Sequence, residues 1–284
     1  MKKVLYACNP IKDIDFFISK QIVEFLKQKN VLVYVEEKEL ASLCNVDLIT
    51  LETVKEIDLA IVLGGDGTLL KYFRNHGDYE IPTIGINQGR VGALTTVNIS
   101  EYQESLNKYF EGKFYLEKQF TLKGRIIYKG GNEKTFNIYN EVNIYRSPSL
   151  KLLPINVSIN DCKSDKIFAD GMIVATPIGS SAYNLSAGGP LLTKNSECYV
   201  ITPICPQIKN FSSLIVSKND KAKLYLSSDS DEVIVSVDGC EKYQIGVGDV
   251  LEISVSKNMI NLVKFSNDES GYHLIYKILD SIKK

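Results

Sequence analysis

Gly64-Gly65-Asp66-Gly67-Thr68 follows directly on the apolar run Asp58-Leu-Ala-Ile-Val-Leu63. Glycines at a strand end let backbone N–H groups come close to an anion. A helix that starts there adds its positive end, which favours phosphate. A carboxylate among phosphate-binding N–H groups repels the ligand unless it has a task. Two are open to Asp66: accepting a proton from an attacking hydroxyl, or holding a metal that bridges to phosphate. The plain alternative is a tight strand-to-helix turn capped by Asp66. The four residues alone name no substrate.

A second polar signal is Asn140-Glu141, inside the apolar stretch Tyr139–Tyr145. Adjacent strand side chains point to opposite faces, so at most one of the two faces a core. Asn both donates and accepts, and Glu accepts from sugar hydroxyls. Taken alone, the pair reads best as an exposed strand end. The third signal is Asp170-Gly171 and the run Ala175-Thr176-Pro-Ile178-Gly-Ser-Ser181-Ala182-Tyr183, ending in Gly188-Gly-Pro190. Small residues admit a ligand closely, hydroxyls bond it, and a tyrosine stacks on a planar base. The competing reading is a tight buried turn with a core tyrosine, which the density of small polar residues disfavours.

Two kinds of element must position these groups. Up to about residue 110, strands alternate with helices. Lys3–Cys8, Val31–Val35, Asp58–Leu63 and Pro82–Ile86 read as strands, and Asp13–Asn30, Thr68–Asn75 and Ser100–Phe110 as helices. Asp13 or Asp15 is placed to cap the first helix. This is the pattern of a doubly wound parallel sheet. From Lys113 to about Phe265 the segments are short and alternating. They include a hairpin around Lys129-Gly-Gly-Asn132 and strands over Thr135–Tyr145, Leu152–Ile159, Lys166–Ala175, Cys198–Thr202, Lys223–Leu226, Val233–Val237, Val250–Val255 and Met259–Phe265. We expect an N-terminal α/β domain (1–99, with 267–284) and a C-terminal β-rich, sandwich-like domain (100–266). The helical pattern of Tyr272–Ile282 returns to the first.

The chain of 284 residues carries 33 basic and 34 acidic residues, a balance that disfavours bulk nucleic-acid binding. No apolar run is long enough to span a membrane, and the start lacks a signal-peptide apolar region. Six scattered cysteines without a CxxC pair fit a reducing, cytoplasmic setting as mostly buried hydrophobes, and argue against zinc. The two histidines, His76 and His273, lie in no motif, so a catalytic base falls to a carboxylate. No protein metal ligands are assigned.

The order Gly64-Gly-Asp-Gly67, Asn140-Glu141, then Asp170-Gly171 and Thr176-Pro-x-Gly-Ser-x-Ala-Tyr183 with Ser186-Ala-Gly-Gly-Pro190, resembles the NAD kinases. The resemblance extends through Gly85-Ile-Asn-Gln-Gly-Arg-Val-Gly92, Ile204-Cys-Pro206 and Val237-Asp-Gly239. Lipid kinases share the GGDG but not the later segments.

The resemblance implies transfer of the γ-phosphoryl of ATP to the 2′-hydroxyl of the adenosine ribose of NAD, with Mg²⁺ or another divalent metal. It implies an α/β domain plus a β domain, in a homodimer or homotetramer whose partners are small nucleotides. Asp66 matches the general base. Gly64, Gly65, Gly67 and Thr68 match the phosphate loop, and Asn140 and Glu141 the dinucleotide contacts. Asp170, Thr176, Ser181, Ala182 and Tyr183 match the nucleotide pocket. The chain departs from the family at Ile178, commonly Thr or Ser, and at Ala93 and Gln207, commonly Phe and His, as a divergent member would. Two other classes are weighed: a lipid or sugar kinase, disfavoured by the later segments, and a dinucleotide sensor without turnover, disfavoured by intact Asp66 and Asn140-Glu141.

Overall fold

The computed structural model describes residues 1–89, 92, 94–146, 151–163, 166–207, 212–227 and 233–265. The expected C-terminal helix and its return, His273, and the departure at Ala93 lie outside these. One compact unit holds Met1–Gln119 and the described chain from Asn258 on; the other holds Phe120–Lys257.

The first unit is built on β1 (Lys3–Cys8), β2 (Leu32–Val35), β3 (Asp47–Leu48), β4 (Leu59–Leu63), β5 (Thr83–Asn87) and β6 (Val97–Asn98). All pair in parallel, in the order β3-β2-β1-β4-β5, with β6 beyond β5. Residues of β1, β4 and β5 are buried throughout or nearly so, as expected of parallel strands covered on both faces. Helices α1 (Phe17–Gln28), α2 (Lys38–Cys44) and α4 (Tyr102–Phe110) cover one face. Ile22, Leu26, Leu40 and Leu106 join the cluster of Tyr6, Ile61 and Ile84. On the other face α3 (Asp66–His76) lies so close to β5 that a Cβ on Gly85 would sit 2.5 Å from Leu69.

The first helix starts later than its apolar pattern suggests. Ile14–Phe16 forms a 3₁₀ turn in which Asp15 and Phe16 have positive φ. Asp13 still caps the helix: its carboxylate accepts from the N–H groups of Ile18 and Ser19, both at 2.9 Å. No helix among the described residues is long and apolar enough to cross a membrane.

The second unit contains, in chain order, β7 (Tyr115–Ile127), β8 (Glu133–Ile138), β9 (Glu141–Arg146), β10 (Leu153–Ile159), β11 (Cys162–Lys163), β12 (Ile167–Ala169), β13 (Gly171–Ala175), α5 (Tyr183–Ser186), β14 (Cys198–Ile204), β15 (Leu214–Ser217), β16 (Ala222–Leu226), β17 (Val233–Val237), β18 (Glu241–Ile245) and β19 (Val250–Lys264). The last strand continues into the first unit, where Leu262 pairs with Thr83. One sheet of the second unit runs β11-β10-β16-β19, with β7 on β19. A six-stranded sheet runs β15-β14-β13-β9-β17-β18. Both contribute to one core: Leu122, Ile155, Leu224 and Leu251 from the first, Val142, Val174, Tyr199 and Val235 from the second. This is the expected sandwich-like arrangement.

Two strands expected as single runs are broken. Thr135–Tyr145 splits at Tyr139-Asn140, and Lys166–Ala175 splits at Asp170. In each case the chain leaves one sheet and enters the other: β8 pairs β7 but β9 pairs β13, and β12 pairs β10 but β13 pairs β14. Val250–Val255 and Met259–Phe265, expected as two strands, form the single β19. Against the expectation of mostly buried thiols, Cys162, Cys205 and Cys240 are exposed.

Candidate active site

In the first unit the chain leaves β4 at Leu63 and enters α3 at Asp66, with only Gly64 and Gly65 between. Gly64 has φ 157°, and a Cβ there would sit 2.3 Å from the Thr68 hydroxyl, so the turn closes only around glycine. Gly64 N–H donates to Ile86 O at 2.9 Å, fastening the turn to β5. Thr68 and Leu69 N–H groups donate to Gly65 O at 2.9 and 3.2 Å, so the helix winds from its first residue. Among the described residues a Cβ on Gly67, in the first turn of α3, would meet nothing within 4 Å. Gly64, Gly65, Asp66, Gly67 and Thr68 therefore lie together in one turn at the positive end of α3.

Asp66 is held from a second direction. Its Oδ1 accepts from Leu94 N–H at 3.1 Å and Thr95 N–H at 3.2 Å. The loop bearing those donors is itself braced. Thr95 Oγ1 accepts from Gly92 N–H at 2.9 Å and from the Asn87 amide at 3.1 Å. A Cβ on Gly92 would sit 2.3 Å from both Asp66 carboxylate oxygens. This explains the glycines at 85 and 92: they let β5 and the loop after it lie flat against helix α3 and the aspartate. A carboxylate fixed this way can take a proton from a hydroxyl brought to it without reorienting.

In the second unit, Asn140 and Glu141 lie at the corner between the two sheets. The Asp238 carboxylate gathers three backbone N–H groups there: Tyr139 at 3.1 Å, Asn140 at 2.7 Å and Glu141 at 3.1 Å. Asp238 N–H returns to Glu141 O at 2.9 Å. Thr176 clamps the other side. Its hydroxyl donates to Tyr139 O at 2.8 Å and accepts from Gly179 N–H at 3.0 Å, while its own N–H donates to Asn140 O at 2.9 Å. A Cβ on Gly179 would sit 2.0 Å from Asn140 O.

Glu141 is not the exposed strand end that its position in the sequence suggests. It is 7% exposed, and its Oε2 is solvent-inaccessible with no hydrogen-bond partner among the described residues. Burial, and secondarily the charge of Asp238, pushes its carboxyl up to about 7. Asn143, two residues on and on the same face, likewise has a buried Oδ1 without a partner among the described residues. Buried polar groups are normally satisfied, so two on one face mark a place where donors are missing. Asn143 does leave a signal in the sequence, a polar residue inside an apolar strand, but that signal carries no role.

The segment after β13 is a buried turn. Ser180 Oγ donates to Pro177 O at 2.7 Å and accepts from Leu192 N–H at 2.9 Å. Asn184 amide donates to the carbonyls of Ser180 and Pro190, both at 3.0 Å, and accepts from the Thr202 hydroxyl at 2.7 Å. Ser181 hydroxyl donates to Ile178 O at 3.0 Å, and Ala182 N–H donates to Gly179 O at 2.9 Å. Ile178 itself is 4% exposed, so the aliphatic side chain that departs from the family pattern is packed inside. Tyr183 is 44% exposed and is not a core tyrosine. Gln207, the other departure, is exposed.

Asp170 is not with this group. It lies at the opposite end of β13 from Thr176, roughly 17 Å along the strand from Ala175, which pairs with Glu141. It forms an ion pair with Arg146 at 2.9 Å, and its N–H donates to Ile204 O at 2.9 Å.

Among the described residues, no three His, Cys, Asp or Glu side chains gather as metal ligands. A Mg²⁺ ion bound largely through substrate phosphates needs only one or two protein carboxylates, and Asp66 is one at the glycine turn.

Residues 4–114 match the model of the ATP-NAD kinase N-terminal domain, and residues 139–265 that of the ATP-NAD kinase C-terminal domain. The chain is 33% identical over 270 residues to the NAD kinase of Thermoanaerobacter sp. (strain X514), covering 94% of this chain and 95% of that one. It is 34% identical over 275 residues to the NAD kinase of Caldanaerobacter subterraneus subsp. tengcongensis, with the same coverage. Among solved structures it resembles a yeast NADH kinase complexed with NADH, with TM-score 0.85, 20% identity and coverage of 98% of this chain and 88% of that one. It also resembles an NAD kinase from Archaeoglobus fulgidus in complex with ATP, with TM-score 0.76, 25% identity and 98% coverage of both.

Proposed function

The chain belongs to the NAD kinase family and phosphorylates NAD to NADP, and from that premise we propose that Asp66 is the general base. The family uses ATP and NAD, and NADP is NAD with a phosphate on the 2′-oxygen of the adenosine ribose. The carboxylate of Asp66 takes the proton of that hydroxyl. The 2′-oxygen forms a bond to the γ-phosphorus, the bond to the bridging oxygen breaks, and ADP leaves. The glycine turn and the start of α3 receive the phosphates through backbone N–H groups. Mg²⁺ or another divalent ion bound with the phosphates would supply charge neutralisation there, while Asp66 keeps the task of base.

Asn140 and Glu141 hold the dinucleotide. The missing donors at Glu141 Oε2 support this, since ribose hydroxyls supply them. Thr176 acts through the backbone of Tyr139 and Asn140, fixing the corner from which these side chains project. Ser181, Ala182 and Tyr183 line the base-binding part. Asp170, at the far end of the same strand, serves a nucleotide bound mainly by a second copy, which favours a homodimer or homotetramer. Small nucleotides are the partners, with neither nucleic acid nor membrane, and the cytoplasm is the compartment.

One observation carries the reading of the base: a carboxylate fixed by two backbone N–H groups at the mouth of a glycine turn. Asp66→Asn tests it. It should lower kcat by about 100-fold or more while NAD binding, measured by calorimetry, stays near wild type. Full activity in Asp66→Asn would remove Asp66 as base.

A further inference from the structure

We propose that Lys12 neutralises the phosphates of the donor at the glycine turn. This rests on the reading of that turn as the phosphate site.

The argument begins with topology. The chain leaves β1 toward β2 and β3 on one side, while β4 lies on the other. The carboxyl ends of β1 and β4 therefore flank the point where strand order reverses, the place where open α/β sheets bind ligands. The loop after β4 is the glycine turn. The loop after β1 is residues 9–13, and the two are joined: Asn9 N–H donates to Leu63 O at 3.1 Å, one residue before Gly64.

Lys12 projects from a loop that is fixed on both sides. Asn9 O accepts from the N–H groups of Lys12 at 3.0 Å and Asp13 at 3.1 Å, and Asn9 Oδ1 accepts from Ile11 N–H at 3.1 Å. Next to Lys12, Asp13 is 3% exposed and bound by Ile18 N–H, Ser19 N–H and the Ser19 hydroxyl. Beyond it come the two left-handed residues, Asp15 and Phe16, the latter buried.

The Lys12 ammonium reaches to 4.0 Å from where a Cβ on Gly65 would lie, and among the described residues, Gly65 and its two chain neighbours aside, it is the only group within that distance. Among the described residues no carboxylate forms an ion pair with it. An ammonium without an ion-pair partner among the described residues, beside the glycine turn at the positive end of α3, has no charge to neutralise there. A polyphosphate seated on those N–H groups supplies one. Lysine suits the task as a mobile point charge that follows a moving phosphoryl group.

Kinetics of Lys12→Ala and Lys12→Arg, beside wild type and Asp66→Asn, test this. Lys12→Ala should lower kcat/KM for ATP by about 100-fold with KM for NAD within about twofold, and Lys12→Arg should recover most of the loss. Because Lys12 is exposed, neither variant should move Tm. Inorganic tripolyphosphate, bound directly and followed by calorimetry, should bind Lys12→Ala more weakly than wild type. The proposal is overturned if Lys12→Ala keeps its kcat/KM for ATP and its affinity for tripolyphosphate. It is equally overturned if the loss is unrelieved by Arg and falls alike on NAD. Failure of wild type to make NADP, or full activity in Asp66→Asn, would instead strike the underlying reading of the site; the tripolyphosphate comparison still decides the role of Lys12.

Discussion

Glu141→Gln isolates a buried charge whose cost can be read from its surroundings. The side chain is 7% exposed, one carboxyl oxygen has no donor among the described residues, and the Asp238 carboxylate accepts from the Glu141 N–H. Together these raise its pKa from an ordinary 4.5 to about 7. Between these two values the unfolded chain has lost the proton and the folded chain keeps it. Stability therefore falls as pH rises from about 4.5 to about 7 and levels off above. At about 1.4 kcal/mol per pKa unit, the ionised side chain costs the folded state roughly 3 kcal/mol at pH 8 and almost nothing at pH 4.5. Glutamine keeps the volume and removes the charge. Urea unfolding of the ligand-free protein from about pH 5 to 8 should show Glu141→Gln gaining on wild type steadily, to an advantage of roughly 3 kcal/mol at the top. The ligand reverses the effect. If NAD hydroxyls donate to Glu141, binding stabilises the carboxylate, so NAD uptake near pH 7 should release protons in wild type and not in Glu141→Gln. Calorimetry in two buffers of different ionisation enthalpy measures that. An advantage for Glu141→Gln that is the same at both ends of that pH range, or absent at both, would refute the reasoning.

Two further variants test how the glycines shape the site. Gly92→Ala places a methyl 2.3 Å from the Asp66 carboxylate and must displace it. We expect kcat to fall by about 10- to 100-fold with Tm nearly unchanged, as read by steady-state kinetics and thermal unfolding. Gly179→Ala drives a methyl against the Asn140 carbonyl at 2.0 Å. It should cost about 1–3 kcal/mol in urea unfolding, and raise KM for NAD more than KM for ATP.

The parts of this fold that are legible in the sequence share a physical cause: local pattern and tertiary placement agree. The run Asp58–Leu63 reads as a buried parallel strand, found over Leu59–Leu63, and Gly64-Gly65 lead straight into α3. Val233–Val237 is read to the residue. Failures occur where alternation continues through a change of sheet. Nothing in the order of residues 135–145 or 166–175 says that the chain crosses the sandwich at Asn140 and Asp170. Those crossings decide that Glu141 is buried and that Asp170 stands apart from Thr176. Helix α2 escapes a reading of periodicity because it spans seven residues and buries only Leu40 and Ala41. The Asp238 clamp joins distant parts of the chain, the aspartate standing 99 positions after the Tyr139 that it holds. The approach of Lys12 to Gly65 is likewise a product of strand order.

This chain moves a phosphoryl group from ATP to NAD. The most direct test is to incubate purified wild-type protein with ATP, Mg²⁺ and NAD. NADP is measured with an NADP-specific dehydrogenase, and ADP in the same samples. The account predicts one NADP for each ADP. ADP without NADP, or bound NAD with no turnover across several divalent metals, would contradict it.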